Sequence, residues 1–150
     1  MIISSWPRLV IGGLVLIIGA ATGFVAWSVV TCAGASAGSL WLGAVTLAAN
    51  LLAWSLLGRR VPSKPVLIVA VLPALAALSY TISTIQLTIG FFGKGLSVCS
   101  VLKHGQDFAP DGREALFVLL WLLVSASFWV GLAPVVARAI RVHGGVTDDE

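Results

Sequence analysis

The groups in this chain best suited to chemistry stand close together in sequence. Cys99, His104, Asp107, Asp111 and Glu114 offer a thiol, an imidazole and three carboxylates, enough donors for a metal ion if three of them converge. Their spacing matches no zinc-protease, nucleophile-elbow or phosphate-cradling motif. The stretch therefore reads as an ordinary solvated segment, without a metal or catalytic site. Asp111 is placed to cap the helix that follows, and the helix dipole favours Glu114 at the same terminus.

Cys99 has one possible partner within the chain, Cys32. The two fall in the same compartment of the topology derived below, and in an oxidising exterior a Cys32–Cys99 disulfide would tie two connections together. Closing so long an interval stabilises a fold by a few kcal/mol, on the order expected from restricting the unfolded chain. The sequence has no C-x-x-C and no second dithiol to pass electrons onward, so bracing is the expected role rather than redox catalysis.

The elements that must position these groups follow from composition. Of 150 residues, 59% are hydrophobic and 10% charged, with a mean hydropathy of +1.05, which excludes an ordinary soluble surface. Residues 9–58, 65–93 and 115–137 are uncharged. Small residues Ala33, Gly34, Ser36, Gly38 and Ser39 divide the first interval. Four membrane-spanning helices are predicted, at 9–30, 40–57, 66–89 and 115–137, joined by outer connections 31–39 and 90–114. The fold class is all-α, a single polytopic four-helix transmembrane bundle. Arg8 ahead of an apolar run resembles a signal peptide in pattern, but 9–30 is longer than a typical signal core, so a retained helix is expected.

Basic residues set the orientation. Arg8, Arg59, Arg60, Lys64, Arg138 and Arg141 lie on one side of this topology, against Lys94, Lys103 and Arg113 on the other. The positive-inside rule then places both termini and the 59–64 turn in the cytoplasm, as in a bacterial inner membrane. The net charge of +3 is mostly a consequence of topology. Arg59 and Arg60 are membrane-flanking basics, so no nucleic-acid partner is expected.

Three patterns within the spans bear on function. Gly12, Gly19, Gly23 and Ala26 put small residues along the first helix and permit close approach of a neighbour, within the chain or in another. Pro73 predicts a kink near residues 69–73 of the third helix. Beyond it Tyr80, Thr81, Ser83, Thr84, Gln86 and Thr88 form a polar face; Tyr80, Thr84 and Thr88 share one side. Hydroxyl bonds back to helix carbonyls are the simplest use of that face, and a solute- or quinone-facing recess is the sharper one. Gln86, and Asn50 in the second helix, are the amides able to donate and accept at once. Their depths differ, so contact between them is not required. Trp6, Trp27, Trp41, Trp54, Phe91 and Phe92 mark span boundaries and suit the headgroup region and helix interfaces, while Trp121 and Trp129 lie deeper without defining a cofactor pocket.

No Asp, Glu, Lys, Arg or His occurs within the predicted spans, which argues against a self-contained proton-coupled carrier. The expected function is that of a noncatalytic accessory or assembly subunit of an integral-membrane complex. It would present the small-residue face of helix 1 and the polar face of helix 3 to neighbouring helices while Cys32–Cys99 fixes the outer geometry; the expected partners are another integral-membrane subunit or itself, and lipids. The alternatives are a homo-oligomeric small-solute channel or transporter lined partly by helix 3, and a membrane-embedded lipid- or redox-processing enzyme.

Overall fold

A computed structural model describes residues 6–28, 37–58, 63–103 and 112–144. Within them the order is α1 (Trp6–Ser28), α2 (Ala37–Leu57), α3 (Ser63–Thr88), a π-helical turn (Ile89–Gly93), α4 (Val98–Lys103) and α5 (Gly112–Gly144). Among the described residues, α1, α2, α3 and α5 are long and apolar enough to cross a membrane, as the composition requires. α1, α3 and α5 begin three residues earlier than the predicted spans, and α5 runs on to Gly144. The reason is local. Charged residues such as Arg8, Lys64 and Arg141 are accommodated in terminal turns, where long side chains reach water. Pro7 and Pro65 sit in first turns, where the missing N–H would have no helical acceptor.

Pro73 lies inside α3 and Pro134 inside α5, and both helices continue through them. The connection predicted at 90–114 is corrected in two places. The π turn extends α3, and its exit bends at Gly95, whose φ of 64° suits a residue without a Cβ. Gly95 N–H donates to Phe91 O at 3.2 Å and Leu96 N–H to Gly90 O at 3.1 Å. The short α4 follows, with Ser100 N–H donating to Ser97 Oγ at 3.2 Å across its first turn. Six residues with a serine and a lysine among them carry too little apolar periodicity to announce a helix.

The long helices form a ring in which α1 and α5 each lie between α2 and α3. At one end, here the base, Arg138 Nη2 donates to Gly58 O at 3.5 Å, and Leu57 and Val69 lie against Gly12 and Gly13. At the other end α4 packs against α3 and the π turn. Val98 N–H donates there to Glu114 Oε2 at 3.2 Å, a tie between α4 and the first turn of α5.

The α1–α2 seam is made by the small residues predicted on helix 1. A Cβ on Gly19 would stand 2.9 Å from Ala49 Cβ, closer than packed carbons allow, and Gly23 faces Thr46 and Tyr80. Ala26 is fully buried. This face is therefore used inside the chain, the first of the two uses its spacing allows. On the opposite side of α2, a Cβ at Gly131 would overlap the Trp54 ring. Gly131→Ala should thus destabilise the protein by about 1–3 kcal/mol. Gly93→Ala, with open space around the new methyl, should leave stability unchanged, as read from thermal unfolding of both variants in the same detergent.

Candidate functional site

Two features bring polar groups together within the membrane-spanning region: a buried axis at the centre of the ring, and a crevice on the flank between α1 and α3.

The axis is built by Thr46 and Asn50 of α2, Tyr80 and Thr84 of α3, and Ser125 of α5, all buried. Asn50, 1% exposed, donates through Nδ2 to Val124 O and to Ser127 Oγ, both at 3.3 Å, and so joins α2 to α5. The Tyr80 hydroxyl lies beside the Asn50 side chain, yet neither Tyr80 Oη nor Asn50 Oδ1 has a partner at hydrogen-bond geometry. Trp27 Nε1, Trp54 Nε1, Trp121 Nε1 and Ser125 Oγ are buried and unpartnered as well. Each such group costs about 1–3 kcal/mol while it lacks a partner.

Aromatic rings surround these atoms. Trp121 packs on Trp27 at 5.2 Å between centroids and on Tyr80 at 5.6 Å, linking α1, α3 and α5, and Trp54 meets Phe128 edge-on at 5.7 Å. Trp27 and Trp54, near the ends of α1 and α2, take the helix-interface place rather than the headgroup one, and Gly131 leaves room for the Trp54 ring. Trp41 is 71% exposed, as a boundary residue should be.

The polar face of α3 divides. Thr84 Oγ1 donates to Tyr80 O at 2.6 Å and Thr88 Oγ1 to Thr84 O at 2.7 Å, the back-bonding expected of mid-helix threonines. Thr81 Oγ1 accepts from Trp129 Nε1 at 3.0 Å, a link to α5. Gln86 is exposed and takes no part in the hydrogen bonds of Asn50. It shares its side of α3 with Ala76, Ser79 and Ser83, at spacings of three and four residues.

That side forms one wall of the crevice. Toward the base, Ile17, Ala20, Ala21, Phe24, Leu72, Pro73 and Ala76 enclose an apolar groove of about 230 Å³. The buried Pro73 thus contributes a wall as well as its place in the helix. Phe24 also lines the next recess, of about 330 Å³, together with Trp27, Ser79, Tyr80 and Ser83. One turn further, Gln86, Ile89, Gly90, Lys94, Leu96, Ser100 and Val101 line a recess of about 400 Å³ under α4. Polarity therefore rises steadily from Leu72 to Lys94.

Of the residues proposed for chemistry at the α4 end, Cys99 is buried and is not a free thiol. Its predicted partner Cys32 lies outside the described residues, as do His104, Asp107 and Asp111. Glu114 stands in the first turn of α5 as expected, but it is 5% exposed and holds the α4 backbone, a role its sequence position did not signal.

No known protein family, no curated protein and no solved structure matches this chain. The most direct check of the α3–α5 link is a double-mutant cycle. Trp129→Phe and Thr81→Val should each lower stability, and the double variant should fall short of their sum by about 0.6 kcal/mol, the usual worth of an interhelical hydrogen bond in a membrane.

Proposed function

We propose that this integral-membrane protein works by holding an amphiphilic molecule from the bilayer in the α1–α3 crevice, and that it contributes binding rather than bond chemistry. The observation that carries this reading is the polarity gradient along one side of α3. An apolar groove at Leu72, Pro73 and Ala76 passes through Phe24 into a recess bordered by Ser79, Ser83 and Trp27. From Ala76 to Gln86 is ten residues, roughly 15 Å of helix at 1.5 Å per residue, about half of a ~30 Å hydrocarbon core. A molecule of one leaflet fits that span. Phe24, 59% exposed, and Leu72, 73% exposed, put the crevice in direct reach of lipid.

The setting we propose is a bacterial inner membrane with both termini in the cytoplasm, which puts α4 on the outer face. There Cys99 pairs with Cys32. Support comes from the bound state of the Cys99 sulfur and from the presence of no other cysteine in the chain. The disulfide would hold the end of α1 against α4 and so frame the top of the crevice.

A second reading, the accessory subunit of a larger membrane complex, has one observation in its favour. Ala44, Ala48 and Ser55 lie on an exposed side of α2 beside Leu51, and small side chains toward lipid allow a neighbouring helix to come close. Composition of the gently extracted complex separates the two: a stoichiometric second protein favours the subunit, and a retained lipid-like molecule on a single chain favours the binding protein.

Filling the groove is the sharper test. Ala76→Trp should reduce the retained amphiphile, measured by native mass spectrometry, by roughly tenfold, which corresponds to about 1.4 kcal/mol. Retention equal to that of the unaltered protein would remove the crevice as the site. For the disulfide, the unreduced protein should resist thiol alkylation under denaturing conditions and accept two labels after reduction. Loss of the bond should cost up to about 4 kcal/mol for an interval of this length.

A further inference from the structure

We infer that the recess beneath α4 is a headgroup site, and that Lys94 with Gln86 selects an anionic phospholipid whose chains descend the α1–α3 crevice. The inference rests on the amphiphile reading above and adds the chemical class of the ligand.

Lys94 is placed there by unusual backbone. The π turn carries the chain past the end of α3, Lys94 N–H donates back to Gly90 O and Phe91 O, and the positive φ of Gly95 turns the chain away immediately afterwards. π-helical turns frequently accompany functional sites. Gly90 has a second role, since a Cβ there would overlap Val101, so α4 can settle close enough to roof the recess only over a glycine. The side chains that result are complementary to a phosphodiester: an ammonium from Lys94 and an amide donor from Gln86, next to Ser100. Lys94 is exposed and has no ion-pair partner among the described residues.

Surroundings specify the source of the phosphate. Ile85, Ile89 and Phe92 are all more than half exposed, and Gln86 stands on the same side of α3 as Ser83, Ser79 and Ala76. The charged recess therefore lies beside an apolar flank, one turn of α3 beyond Ser83 of the crevice, which suits a phosphate bearing acyl chains better than a free ion. The Lys94 ammonium supplies the charge attraction for the phosphate, and a recess adds positional selectivity.

The test compares phosphatidylglycerol with diacylglycerol of the same chains, titrated by native mass spectrometry into the unreduced full-length protein after delipidation. The unaltered protein should bind phosphatidylglycerol about tenfold tighter than diacylglycerol. Lys94→Gln should abolish that preference and leave diacylglycerol binding unchanged, whereas Ala76→Trp should weaken both lipids. Persistence of the preference in Lys94→Gln would overturn the headgroup assignment while leaving the crevice intact. Unchanged binding of both lipids to Ala76→Trp would overturn the crevice reading alone. Displacement of phosphatidylglycerol by inorganic phosphate would identify a free-anion site and overturn the lipid assignment.

Discussion

The close contact of α1 with α2 is the constraint on which the rest of this structure depends. Within a bilayer, lipid tails are as apolar as leucine, so helices gain by meeting only where their surfaces fit better against each other than against lipid. Gly12, Gly19 and Gly23 supply that fit, with Leu57, Ala49 and Thr46 seated in the spaces left by absent side chains. Once this seam is closed, α1 has spent its smooth face. Its other flank turns Phe24 and Trp27 toward α3, and bulky rings cannot lie as close as glycines. At the base Gly13 still receives Val69; further along, the rings hold open the crevice. A tight seam on one side of a helix and a groove on the other thus have a common origin in where the glycines fall.

The central polar axis follows from the same packing. Asn50 bridges α2 to α5 through Val124 O and Ser127, while Tyr80 enters from α3 and stops beside it. The Tyr80 ring lines the recess and its hydroxyl is buried. One residue therefore separates a lipid-accessible groove from a group of unpartnered polar atoms. In a low-dielectric interior such atoms are costly until satisfied, which makes this wall sensitive to what occupies the groove.

The sequence revealed the spans because uncharged stretches of this length have few alternatives in water. It also marked the small-residue face of α1, but periodicity carries no information on which helix fills a smooth face, so internal and external use looked alike. Gln86 stood out as a polar anchor by its chemistry, whereas its alignment with Lys94 depends on a π turn that shifts the register after Thr88. No composition rule signals that shift. Glu114 was legible as a helix-start carboxylate and not as the acceptor for the Val98 N–H, since that contact depends on how α4 folds back across the bundle. Trp27 and Trp54 were legible only as far as two choices: tryptophan near a span end suits the membrane interface and a helix interface equally well, and the packing of neighbouring helices decides between them.

The most direct test of the central claim is a cryo-electron microscopy map of the unreduced protein in a lipid nanodisc containing phosphatidylglycerol. Elongated density should run along α3 from the recess at Lys94 and Gln86, past Ser83 and Ser79, to Leu72, with its strongest feature at the α4 end. A crevice closed by direct contact of α1 with α3 along that length, or filled by a helix of another chain, would contradict it.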